Sequence, residues 1–177
     1  TAEGGKKIRL LGVNYIDKYK TNRPLLDEYF LKTIHHEFVH IVNQTKDYPR
    51  DFGKVTPNGY VNDSWSSETY GEGFEKRGFV SAYSQKEERE DFAEMVSTYI
   101  ISTPAQWNAI IKKATLVDAN GDPIKDKETG KPAPQPGVEA LEKKLEICKR
   151  YYKETFNVDL DKVRDAVIER ENNVVSG

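Results

Sequence analysis

Between Leu25 and Val42, hydrophobic residues recur at spacings that return to neighbouring positions on a helix. They occupy nearly its whole circumference, and neither proline nor glycine interrupts the run before Pro49. Asn22 is a suitable N-cap, and Pro24 falls in the first turn, where its missing N–H costs nothing. The pattern therefore predicts a long helix that is buried in the middle of a domain.

A second helix is predicted after Ser84, which forms a capping-box pattern with Glu87 and places the helix start near Gln85. Six apolar positions give this helix a core face: Phe92, Ala93, Met95, Val96, Tyr99 and Ile100. A row of carboxylates at positions 87, 90 and 94 runs along the same helix. The helix thus offers a core face together with a line of acidic side chains.

The rest of the pattern predicts a strand at residues 8–16, interrupted by Gly12, and further helices towards the C-terminus. Thr103 and Gln106 form a capping box around Pro104, which opens a helix through about Lys113. Two amphipathic helices follow over residues 138–156 and 160–171, after a turn at Asn120-Gly121 and a proline-rich connector. The expected fold class is α+β, mostly helical with a small sheet.

We expect one domain over residues 1–177, a length that can bury most of a core. Its parts are a strand region at 1–20, a central region at 22–102 and C-terminal helices at 103–177, with a hairpin and linker at 115–137. The 27 basic and 29 acidic residues leave a net charge of −2, which argues against nucleic acid as a partner. Cys148 is the sole cysteine, so no internal disulfide can form.

The central candidate for chemistry is the run His35-His36-Glu37-Phe38-Val39-His40, which holds all three histidines of the chain. His36 and His40 lie four residues apart, so one helix face can present both imidazoles to a single metal ion. Glu37 is placed to take a proton from a water activated by that metal. The alternative is a pair of core histidines held by backbone carbonyls, and a bare HExxH match requires support from its surroundings.

A zinc site of this kind needs a third protein ligand from a second element. No histidine remains, so that ligand must be acidic, and the carboxylate-rich second helix is the candidate source. For four of its residues taken alone, the pattern favours a solvated acidic face: Glu87, Glu88, Asp91 and Glu94. The aromatic-rich stretch at residues 46–77 lies between the two helices, and we expect it to line a substrate cleft or to pack as an ordinary loop.

The segments HHEFVHI and GFVSAYSQKEEREDFAEMVSTYI together resemble the zinc metallopeptidase lipoproteins of Bacteroidetes, described as substrate-import-associated zinc metallohydrolases. They resemble more distantly the catalytic domain of anthrax lethal factor, which has a Tyr-x6-Glu-x-Phe-Ala-Glu segment after its HExxH helix. The likeness covers roughly residues 22–102. It implies a gluzincin-type, zincin-like fold in which Glu90 is the third zinc ligand, Tyr83 donates a hydrogen bond to the transition state, and Glu94 supports a liganding histidine.

The function predicted from these features is peptide-bond hydrolysis by a zinc metallopeptidase with Zn²⁺ as its cofactor, acting as a monomer on a peptide or protein substrate. The alternative is a zinc-containing accessory or binding module of an outer-membrane nutrient-uptake system. The resemblance also implies a location in the cell envelope or outside the cell, with a lipid anchor in the full-length form, and uptake proteins of the outer membrane as partners.

Overall fold

The computed structural model describes residues 2–3, 7–8 and 22–175. Within them the protein is mostly helical. Two strands of two residues each, β1 (Ala2–Glu3) and β2 (Lys7–Ile8), pair antiparallel with Ala2 opposite Ile8. Apart from Ile8, the strand predicted at residues 8–16 lies outside the described residues. The small sheet expected of an α+β domain therefore stays a prediction.

The first long helical segment starts at Asn22, whose side chain caps it by accepting a hydrogen bond from the backbone N–H of Leu25 at 3.3 Å. Helix α1 (Arg23–Leu26) continues through a π-helical turn (Asp27–Leu31) into α2 (Lys32–Asn43), which carries the HExxH motif. The predicted helix is confirmed, but its predicted full burial is wrong. Tyr29 and Phe38 are 47% and 51% exposed, and only one face of α2 packs on the core.

Helix α3 (Glu88–Ile101) is the central element, because every residue from Glu90 to Ile100 is buried. It starts three residues later than predicted. Ser84 lies instead in a 3₁₀ turn (Tyr83–Gln85), where its hydroxyl is 3.0 Å from that of Ser81. The predicted capping box of Ser84 with Glu87 does not form, because α3 has no side-chain cap at its start. This turn takes the chain from the core to the start of α3.

Three more helices close the molecule around α3: α4 (Pro104–Ala114), α5 (Pro136–Phe156) and α6 (Leu160–Val175). The predicted capping box of Thr103 and Gln106 forms at the start of α4. The predicted turn at Asn120-Gly121 also forms, within an exposed arm between α4 and α5. No helix among the described residues is long and apolar enough to cross a membrane.

The core is an aromatic and aliphatic cluster centred on Phe92 of α3. Its ring packs against Phe52 and Tyr151 with centroids 5.1 and 5.6 Å apart. Gly78 lies at the edge of this core with φ +84°, and a Cβ there would come within 2.5 Å of Ala140. Glycine is therefore required where the segment leading to Tyr83 passes over α5.

Candidate metal centre

His36 and His40 are brought together by the helical repeat of α2. Because they lie one turn apart on the same face, their Nε2 atoms are 3.0 Å from each other. The two rings meet edge to face with centroids 4.7 Å apart. His36 is buried and His40 half-buried, so the pair lies at the boundary between the core and an open cavity.

Glu90 approaches this pair from the first turns of α3. Its Oε2 atom lies 3.0 Å from Nε2 of His36 and 3.1 Å from Nε2 of His40. These three residues offer donor atoms that all lie within 4.8 Å of one another, the geometry expected of a group that could hold a metal ion. The structure thus brings together the three residues predicted as ligands.

The donor set fits zinc. Two imidazole nitrogens and one carboxylate oxygen at zinc bond lengths of about 2.0–2.2 Å would form a tetrahedral face with edges of about 3.3–3.5 Å, and the fourth position would stay open. The observed edges of 3.0 and 3.1 Å are slightly shorter. A metal ion would relieve the contact between two nitrogens that face each other, and it would need only a small expansion of the site.

The ring of His36 is oriented from behind by Glu94 of α3, whose Oε1 atom lies 2.8 Å from Nδ1. This contact favours the tautomer with its proton on Nδ1, which leaves the lone pair of Nε2 directed into the site. The other oxygen of Glu94 accepts from Ser81 Oγ at 2.6 Å and lies 2.6 Å from Lys32 Nζ. Both oxygen atoms of Glu94 therefore have partners, and one of these partners is the candidate ligand His36.

Lys32 and Ser81 were not predicted as members of the site. Lys32 had a signal that could have found it, because it lies one turn before His36 on the same helix face. Ser81 had none, since its approach to Glu94 depends on the path of the segment before α3. The two residues bring a cation and a hydroxyl to the carboxylate of Glu94.

The electrostatics of the cluster oppose the effect of burial. Burial would lower the pKa of His36, but hydrogen bonds and charge attraction from Glu90 and Glu94 outweigh it and raise the pKa to about 9. Burial would raise the pKa of Glu90, yet its two histidine partners hold it well below the ordinary range. Without a metal, the attraction between His36 and the two carboxylates therefore stabilises the protonated histidine and the ionised Glu90.

Tyr83 lies beside this cluster, on the 3₁₀ turn that precedes α3. Its ring centroid is 6.0 Å from that of His36 and 5.1 Å from that of Trp65. Burial raises the pKa of the Tyr83 hydroxyl, and nearby Glu90 raises it further against the opposing charge of Lys86. The phenol is therefore protonated at neutral pH and available as a hydrogen-bond donor.

Glu37 is exposed on α2 and lines a cavity of about 600 Å³ together with His36 and Tyr83. His35 faces away from it, into a separate apolar cavity of about 520 Å³. His35 therefore lies outside the candidate metal centre.

The aromatic stretch at residues 46–77 divides between the two predicted roles. Trp65 and Phe74 line the cavity beside Tyr83. Phe52 is fully buried, and Tyr48 stacks on Phe92 in the core. Tyr60 donates a hydrogen bond to Asp91 at 3.0 Å. One part of the stretch therefore faces the candidate site, and the other is ordinary packing.

The protein is mostly helical, and an acidic residue from a second helix meets the two histidines of its HExxH helix. This is the architecture of a metallopeptidase-like domain. A family model described as "Putative zinc-binding metallo-peptidase" matches residues 1–161, and the chain belongs to this family. The family resemblance predicted from the sequence is thereby confirmed. The lipid anchor and the likeness to anthrax lethal factor stay predictions.

The chain is also similar to a solved structure, that of a "putative zinc-binding metallo-peptidase" from Bacteroides caccae. The TM-score is 0.70 and the sequence identity 29%, over 89% of this chain and 52% of that chain. The present chain thus spans about half the length of this relative. No curated protein matches the sequence.

Proposed function

We propose that this protein is a zinc-dependent metallopeptidase in which His36, His40 and Glu90 hold the metal. The observation that carries the proposal is the convergence of two Nε2 atoms and one carboxylate oxygen at 3.0–3.1 Å, with an open cavity on one side. When bound, zinc would supply a Lewis acid that polarises a peptide carbonyl and acidifies water.

Glu37 would act as the general base. It follows the candidate ligand His36 directly, and its carboxylate borders the cavity that a substrate would enter. From this position it would accept a proton from the attacking water and pass it to the leaving amine, because a carboxylate beside the cleaved bond can serve in both steps.

Tyr83 would donate a hydrogen bond to the oxygen of the cleaved carbonyl as negative charge develops there. Its ring is held between His36 and Trp65, so the hydroxyl needs little ordering when the substrate binds. Glu94 would keep the ring of His36 in the orientation that presents Nε2, with Lys32 and Ser81 holding the carboxylate in turn.

Further parts of the proposal rest on the family resemblance and on the sequence pattern. The fold would be a zincin-type α+β domain, and its sheet would include the strand that the pattern predicts at residues 8–16. The protein would work in the cell envelope or outside the cell, with a lipid anchor in its full-length form. Its neighbours would be uptake proteins of the outer membrane, while its substrate would be a peptide or protein.

The test is digestion of a peptide library by purified, zinc-loaded protein, with Glu37→Gln as the inactive control. We expect cleavage by the parent protein only, because the amide keeps the shape of the side chain but cannot accept the proton. Cleavage by both proteins would indicate contamination. Cleavage by neither would favour the accessory binding module.

Metal binding is tested separately by the zinc content of purified variants. Glu90→Ala should lose most of the approximately one zinc per chain that a three-ligand site holds. The matched control is Glu87→Ala, which removes a carboxylate from the same stretch of chain outside the cluster. Full zinc retention by Glu90→Ala would refute the assignment of this ligand.

A further inference from the structure

The cavity beside the candidate metal centre has a distinct combination of shape and charge. It occupies about 600 Å³ along the N-terminal half of the helical segment that carries the HExxH motif. His36, Glu37 and Tyr83 form one end of it, so it is continuous with the groups proposed to act on the peptide bond. A substrate side chain next to that bond would therefore enter this space.

The walls of the cavity include four aromatic rings: Tyr29, Trp65, Phe74 and Tyr83. Trp65 meets Tyr83 edge to face at 85°, and Nζ of Lys86 lies 5.3 Å from the centre of the Tyr83 ring. Aromatic faces attract cations and also cover the apolar stem of a long side chain. The aromatic walls suit a long side chain, whether apolar or cationic.

The charges that line the cavity favour a cationic side chain over an apolar one. Among the residues that the structure describes, three carboxylates and one lysine line it, in addition to the candidate ligand His36: Glu28, Glu37, Glu94 and Lys32. Lys32 Nζ lies 2.6 Å from Glu94, so that cation is already neutralised. Among residues 22–175, no cation forms an ion pair with Glu28 or Glu37, so these two carboxylates are available to a cationic guest.

Glu28 is the residue of this pair that catalysis does not use. It lies eight residues before His36, a distance of about 12 Å along the helical segment at 1.5 Å per residue. A long side chain reaches about half of this distance, and a substrate residue one or two positions from the cleaved bond would cover the rest, because an extended backbone advances about 3.3–3.6 Å per residue. An apolar side chain would strip water from Glu28 without replacing its hydrogen bonds, and an acidic one would be repelled.

We propose that this cavity is a specificity pocket that takes the lysine or arginine side chain of a substrate residue near the cleaved bond. Glu28 would bind the cationic head, and Trp65 and Phe74 would cover the stem. This inference rests on the proposed function, because it assigns a substrate class to the same site.

The experiment uses sets of peptides that differ only in having Lys, Leu or Glu at one position, scanned over two residues on either side of the cleaved bond. For zinc-loaded protein we expect kcat/KM at one position to be about tenfold or more higher for Lys than for Glu. That is the scale of one exposed ion pair combined with one cation–π contact.

Glu28→Gln should reduce this Lys-to-Glu ratio to within about threefold, and Glu28→Lys should reverse it. Glu28 is exposed, so both variants should fold, which thermal melting verifies. The matched control is Glu68→Gln, which removes the same charge from an exposed turn that does not line the cavity, and which should keep the parent ratio.

The two proposals fail in different ways. Cleavage with equal rates for Lys and Glu at every position, or a ratio that Glu28→Gln leaves unchanged, would overturn the specificity pocket while the peptidase function stands. If no peptide is cleaved, the peptidase function fails. The specificity pocket is then tested by the fluorescence anisotropy of labelled Lys and Glu peptides with zinc-loaded protein. Tighter binding of the Lys peptide would support the pocket, and equal affinities would overturn it.

Discussion

Helix α3 carries two clusters of buried charge that differ in how they are satisfied. In the first, Glu90 and Glu94 meet His36, His40 and Lys32 at the edge of an open cavity. In the second, Asp91 pairs with Lys144 at 2.7 Å, and neither side chain has any exposure. We name these two the open cluster and the closed cluster.

The closed cluster is fully buried and its two charges pair with each other, although Oδ1 of Asp91 accepts no hydrogen bond. Lys144 Nζ donates to the carbonyl oxygen of Gly78 at 2.8 Å and lies 3.9 Å from the centre of the Phe79 ring, while Asp91 also accepts from Tyr60. Burial raises the pKa of Asp91 and lowers that of Lys144, so each charge depends on the other. Such a pair ties α3 to α5 and to the segment that leads to Tyr83.

The open cluster borders a cavity, and its donor atoms face one another. Nε2 atoms of two histidines face each other at 3.0 Å, and only a proton or a metal ion between them can make that contact favourable. Buried charge by itself therefore does not mark a functional site. A functional site is indicated by donor atoms that converge on one another beside a cavity.

The largest effect is expected from breaking the closed cluster. Lys144→Met would leave Asp91 buried without its cation, and we expect the free energy of unfolding to fall by about 3–5 kcal/mol. Adding Asp91→Asn should recover much of the loss, because the double variant leaves no unpaired charge. Urea denaturation of the metal-free proteins measures both values. A single variant as stable as the parent would show that the pair contributes little.

The next effect concerns turnover at the open cluster. Tyr83→Phe removes one donor to the developing oxyanion, and we expect kcat to fall by about 10²–10³ with little change in KM or zinc content. Kinetics and melting temperature measured on one sample separate the roles. A structural tyrosine would instead keep its kcat and lower the melting temperature.

A smaller effect is expected on metal affinity. Glu94→Gln weakens the contact that orients His36, and zinc affinity should fall by about 10–100-fold, the usual range for a residue that supports a ligand. Competition with a zinc chelator measures this change. Glu88→Gln, on the same helix but outside the cluster, is the matched control, and an equal loss of affinity in both variants would contradict the role of Glu94.

The smallest effect is a pH dependence of metal-free stability. The pKa of His36 is raised from 6.5 to about 9, so its stabilising contacts are fully present below pH 6.5 and are lost as the pH rises towards 9. Burial would raise the pKa of Glu94, but its contacts with His36 and Lys32 outweigh burial and lower the pKa from 4.5 to about 2. The contribution of Glu94 to stability is therefore fully present above pH 4.5 and is lost as the pH falls towards 2. The cluster should therefore stabilise the metal-free protein most between pH 4.5 and 6.5.

Zinc should reverse the change of stability with pH above pH 6.5. Metal binding needs an Nε2 atom of His36 without a proton, so zinc affinity should rise over the range in which the metal-free protein loses stability. Thermal melting at a series of pH values, with zinc and with chelator, tests both slopes. Parallel curves in the two conditions would mean that the metal does not bind at this cluster.

The sequence by itself determined the features that depend on local spacing. The approach of His36 to His40 follows from the helical repeat, and the Asn22 and Thr103 caps follow from side chains that bond within three residues. The Asn120-Gly121 turn is of the same kind. In each case, residues close in the chain are close in space in any fold that contains the element.

Only the tertiary structure decided which segments meet. The sequence marked an acidic row on α3, and the family resemblance singled out Glu90 and Glu94, but no pattern predicted that Asp91 would turn towards Lys144, which lies 53 residues further along the chain. The exposed half of α2 and the later start of α3 also escaped prediction. Local periodicity specifies a helix, whereas the burial of its faces depends on neighbours that come from elsewhere in the chain.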